Sequence, residues 1–123
     1  MALGHEAAAN LWRAAAEGRF RLEEGAAREC AGHYEWFAEE MVGRQRDLDR
    51  LKRLEGFGNL TSSQYLQKGF QDKAHQAFDA FKAAEESAYK MAAAIYKAAG
   101  LTNDVEAANA AAIRAAQKVM TDG

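Results

Sequence analysis

Apolar residues recur through the first half of the chain at steps of three, four and seven: Leu11, Ala15, Leu22, Ala26, Cys30, Phe37, Met41, Leu48 and Leu51. That spacing predicts one helix over about residues 5–54. At 1.5 Å per residue it would be about 75 Å long. A second stripe follows from Leu66 through Phe70, Ala74, Ala77, Phe81, Ala84, Ala88, Ala92, Ile95 and Ala99, which predicts helix two over about 62–99. Between them lies the one cluster of turn-formers, Gly56, Gly58, Asn59, Thr61, Ser62 and Ser63. Glycine ends a helix readily, and Thr61 with Gln64 has the spacing of a capping box, so a turn is placed at 55–61. The two long helices then form an antiparallel hairpin. Gly100 stops helix two, and a third helix is expected over about 104–120, with Asn103 and Glu106 in capping positions.

Closing the hairpin at that turn sets a register. It brings Leu51 to Tyr65, Leu48 to Leu66 and Phe70, Tyr34 and Phe37 to Phe78 and Phe81, and Leu22 to Ile95. Phe37, Phe78 and Phe81 are thus expected in one buried layer, where Phe81→Ala would cost about 3–5 kcal/mol. Cys30 falls on the inner stripe as a buried thiol.

Helix one carries a second apolar line on its opposite side, through Ala9, Ala16, Phe20, Ala27, Ala31, Tyr34, Ala38 and Val42. A helix that is apolar on two sides has neighbours on two sides. The hairpin supplies one neighbour, so Phe20, Ala27, Ala31, Tyr34, Ala38 and Val42 are expected to meet a partner. A third line, Gly18, Gly25, Gly32 and Gly43, reads either as a seam for the third helix or as a set of kinks, with Gly18 the best candidate to end a helix.

The 123 residues make one domain, and the absence of proline with abundant alanine confirms the all-α class: a long helical hairpin with a shorter C-terminal helix. A net charge of -2 gives no drive toward nucleic acid. Arg44, Arg46, Arg50, Lys52 and Arg53 concentrate positive charge near the tip, diluted by Asp47 and Asp49. No apolar run reaches the roughly 20 residues of a membrane span, and no secretory leader is visible, so a cytoplasmic protein without membrane insertion is expected.

Site chemistry is sparse. His33 with Glu29 and His75 with Asp72 have helical ligand spacing, but the hairpin register sets the two histidines about 12 Å apart along the axis, too far for one ion. No nucleophile and base are suitably spaced, and the Gly56-Phe57-Gly58 stretch lacks the lysine and the preceding strand of a phosphate loop. A non-enzymatic protein without metal or cofactor is the expectation.

One stretch resembles a known family. Phe70, Ala74 and Phe78 stand where the WXG family of small bacterial secretion-associated hairpins has its Trp, Ala and following aromatic, with Asp72 in place of the motif glycine. Residues 94–99, Ala-Ile-Tyr-Lys-Ala-Ala, also resemble the late second helix of related proteins. The resemblance implies a hetero- or homodimer forming a four-helix bundle with another helical protein, such as a type VII secretion substrate or toxin, and export together with that partner. The family's export motif, Tyr followed four residues later by Asp or Glu, is not formed: Tyr89 is followed by Ala93 and Tyr96 by Gly100. A cytosolic helical chaperone or adaptor with no secretory role is the alternative.

Overall fold

The computed structural model describes residues 2–51 and 61–120. They form four helices and no strand: α1 (Ala2–Ala16), α2 (Glu24–Leu51), α3 (Thr61–Ala98) and α4 (Thr102–Ala116). The expected turn at 55–61 lies outside the described residues, apart from Thr61, which opens α3. Among the described residues no helix is long and apolar enough to cross a membrane.

Over its described part, 5–51, the single helix expected over 5–54 is two helices. Gly18, at φ +77°, takes the left-handed conformation that closes α1, with its N–H on Ala15 O at 3.1 Å and the Arg19 N–H on Ala14 O at 2.9 Å. This is the paired-bond C-terminal cap that glycine favours. Glu23 then starts α2, its carboxylate accepting the Ala26 N–H at 2.9 Å. Leu22 N–H donates to Ala98 O at 3.1 Å, which ties the link to the end of α3 and satisfies a carbonyl that the helix end leaves free.

α3 is the spine. The other three helices pack on it, and their backbones do not approach one another. α1 runs parallel to α3, with Gly4 beside Ser87 and Trp12 beside Lys97. α2 runs antiparallel, from the Leu22–Ala98 bond to Leu48 against the Ala74 and Phe78 cluster. α4 also runs antiparallel, from Ala108 in the cluster of Ala92, Ala93, Ile95 and Tyr96 to Lys118 at Glu85 and Met120 at Phe78. Enclosure by three helices explains why residues 92–96 are buried all round, and why so many of them are alanine.

Gly100, at φ +70°, ends α3 as expected: its N–H bonds Lys97 O at 3.0 Å, the Leu101 N–H bonds Tyr96 O at 3.1 Å, and Leu101 packs against the core. The start of α4 differs. It begins at Thr102 with no side-chain cap, so Asn103 lies inside its first turn, and it stops at Ala116 rather than near 120.

The register between α2 and α3 differs from the expected one. Tyr34 and Phe37 stand over Ala84, Ala88 and Met91, not over Phe78 and Phe81. The expected aromatic layer therefore does not form: Phe78 is 6% exposed, Phe81 half-buried and Phe37 41% exposed. Leu22 does join the cluster that holds Ile95. Cys30 is exposed, because α2 turns its other apolar line inward. Nor is there a glycine seam: a Cβ at Gly32 or Gly43 would meet nothing within 4 Å, and α4 lies on α3.

Candidate functional site: an aromatic cleft on the spine

α1 and α2 meet at the link beside Ala98, and toward the N-terminus of α1 they leave a strip of α3 bare. The strip is the floor of a cleft of about 480 Å³. Small side chains, Ala84, Ser87 and Ala88, alternate there with Met91, while Gly4 of α1 closes one side and Tyr34 and Phe37 of α2 form the other. Trp36 stands at the rim, 62% exposed. Exposed apolar groups that are contiguous, unlike ones scattered singly, mark interaction sites. Adaptable methionine and exposed aromatics over a floor of small residues suit the packing of an apolar helix face from outside.

Polar groups at the cleft are few. Ser87 Oγ and, next to Gly4 in α1, His5 Nε2 are buried without a hydrogen-bond partner, and the His5 ring is 3.9 Å from Glu86. Among the described residues no three His, Cys, Asp or Glu converge as for a metal ion, and both His33 and His75 are exposed.

Of the residues expected to face a partner, Ala27, Ala31 and Ala38 are fully buried against α3. The chain covers that face with its own spine. Alanine allows two helix backbones to approach closely, so this line packs inward, and the bulkier Phe37 and Met41 are left outside or at the edge. Phe20 and Val42 are half-buried, Phe20 in the link and Val42 beside Gln45 and Phe78. Only Tyr34 stands at the open cleft. Of the motif-like residues, Ala74 and Phe78 are core, and Phe70 is 40% exposed on α3. The periodicity missed Trp36 because it lies on neither apolar line of α2.

Two polar ties fix the walls. Buried Gln45 of α2 donates from Nε2 to Glu85 Oε1 at 2.9 Å, and Lys118 Nζ meets both oxygens of Glu85 at 2.8 and 3.0 Å. Higher up, Tyr96 OH donates to Glu35 Oε1 at 2.5 Å. Burial, and then this bond, push the Tyr96 phenol up to about 12. An unfolded tyrosine ionises near pH 10. The protonated phenol therefore contributes its full stability below pH 10, and that contribution is lost as pH rises through 12. In denaturant titrations at stepped pH, the stability gap between the native chain and Tyr96→Phe should hold up to pH 10 and close between 10 and 12. A gap that stays constant to pH 12 would show that the bond does not form.

Comparison with protein-family models, with curated proteins and with solved structures finds no match.

Proposed function

We propose that the chain is a non-enzymatic interaction protein that receives a helix of another protein in the cleft between α1 and α2. The observation that carries this reading is the exposed aromatic rim of Tyr34, Trp36 and Phe37 over an alanine floor. Aromatic anchors of this kind carry most of the energy of an interface, and in helix-in-groove binding an amphipathic helix lays its apolar face into an apolar groove. The binding face is thus the cleft, with Tyr34 as the one residue it shares with the opposite line of α2.

The finer reading rests on the WXG-like stretch around Phe70, Ala74 and Phe78. It makes a type VII secretion substrate or toxin the kind of helical partner we propose, with pairing in the cytoplasm before any export. A specific observation favours the cytosolic chaperone or adaptor as second reading: Tyr96 is buried and Tyr89 half-buried, both inside α3.

The test is a tagged chain used to recover its partner from the native cell, followed by affinity measurement with the purified pair. Trp36→Ala should weaken that complex about thirtyfold or more, since interface hot spots are worth about 2 kcal/mol or more. Its unfolding midpoint should stay unchanged, because Trp36 is mostly in solvent. Equal binding by Trp36→Ala and Phe37→Glu would remove the cleft from the interaction.

A further inference from the structure

The link between α1 and α2 folds back, yet little in its residues requires it to. Residues 17–23 are Glu-Gly-Arg-Phe-Arg-Leu-Glu, good or tolerated helix formers apart from Gly18. The apolar phase runs through the link unbroken, from Leu11 and Ala15 to Leu22 and Ala26. That is the pattern of one continuous helix. What holds the link in its folded-back form is the positive φ of Gly18 with its capping bonds, the Glu23 cap on Ala26, and Leu22, bonded to Ala98 and packed in the cluster that holds Ile95.

α1 packs on α3 alone, so every contact that seats it is one a second α3 could offer. Among its described side chains Ala8 is buried, and Leu11 and Trp12 pack partly buried against the main core cluster. Its first turn leaves His5 Nε2 and Ser87 Oγ buried and unpartnered. Detaching α1 would return both to water.

We propose that residues 17–23 are a hinge that straightens into helix, so that α1 leaves its own α3 and takes the same seat on α3 of a second copy. The straightened helix would span residues 2–51, about 75 Å. The geometry closes on itself. α2 is antiparallel to α3, so a straightened α1 projects beyond the C-terminal end of α3. There it meets a second copy turned end over end, whose α3 runs parallel to the incoming helix, as α1 and α3 do in the folded-back chain. Two such exchanges are related by a two-fold axis and leave no helix unseated. Every α1–α3 contact is regained in the partner, so the balance turns on the hinge and the chain concentration. Gly4 of each copy would then wall the cleft of the other, and each cleft would be built from two chains.

Gly18→Ala tests the hinge. A Cβ penalises the left-handed conformation of the folded-back form and favours the helical form, which together shift the balance roughly 30- to 100-fold toward the exchanged dimer. Light scattering at matched concentrations should read a dimer, and inserting two glycines after Gly18 should return a monomer. A disulfide reports which chain α1 sits on. A Cβ built on Gly4 lies 3.1 Å from Ser87 Cβ, a few tenths of an ångström closer than a disulfide needs. In a Cys30→Ser chain with Gly4→Cys and Ser87→Cys, the folded-back form oxidises to a bridged monomer and the exchanged form to a covalent dimer. Gly18→Ala should move the product to the dimer. If Gly18→Ala does not fold, the same cysteine pair with Gly18 intact, refolded at high concentration, must give covalent dimers. Bridged monomers alone, in Gly18→Ala or in that refolding, would overturn the proposal.

Discussion

Phe78→Ala is expected to lower the free energy of unfolding by about 3–5 kcal/mol, the usual cost of truncating a large core aromatic. Phe78 is the largest side chain of the smaller core cluster, where Ala74, Leu48 and Met120 surround it. That cluster joins α2, α3 and the segment after α4, and none of its other members is large enough to close the space a missing ring would leave. Phe81→Ala makes the comparison sharp. The ring is one turn further along α3 but half-buried, so its loss should cost about half as much or less. Urea denaturation of the two variants should therefore rank Phe78 well above Phe81. Equal losses would mean that the register is the one the sequence pattern suggests, with both rings in one layer.

Lys118→Met should be nearly as damaging, at about 3 kcal/mol. Glu85 is buried in the middle of α3, and among the described residues Lys118 is the one cation on its carboxylate, with Gln45 supplying a single neutral bond. Removing the cation strands a charge away from water, the costly half of breaking any buried pair. The reverse change is milder. Glu85→Gln leaves an amide that can still pair with Gln45, while Lys118, a third exposed, reaches solvent, so its cost should stay near 1 kcal/mol. The asymmetry is the test: unfolding midpoints that fall equally for both would place the ion pair in water rather than in the core. Met120 packs on Phe78 two residues beyond Lys118. The two truncations, Phe78→Ala and Lys118→Met, therefore share a structural neighbourhood and should not add simply.

The parts of the fold that could be read from the residues are those with a single physical solution. Gly100 follows a long stripe and precedes Leu101, and only a left-handed cap with a hydrophobic contact satisfies both. The long α3 follows as directly from its stripe. At Gly18 the residues permit two solutions. The apolar phase continues past it, and the cap that restarts the helix is Glu23, which is not among the preferred N-cap residues, so Gly18 alone marks the break and it reads equally as one glycine of a seam. The inner face of α2 was ambiguous for a different reason. Periodicity finds both apolar lines and ranks them by bulk, but the close approach of α2 to α3 selects the alanines at 27, 31 and 38. The cleft was hidden because its three aromatics are spread over the pattern: Phe37 lies on the line expected inside, Tyr34 on the opposite line, and Trp36 on neither.

The placement of the two tryptophans has an optical consequence. Trp12 rides on α1, half-buried, with the Lys97 ammonium 5.1 Å from its ring centre, and Trp36 stands alone at the rim of the cleft. A cation over an indole perturbs its emission, and desolvation shifts the emission of an exposed one toward the blue. Departure of α1 from its seat and arrival of a ligand helix would therefore each change the fluorescence of a different indole. A chain keeping only Trp12 and one keeping only Trp36 would separate the two events in time without any added label.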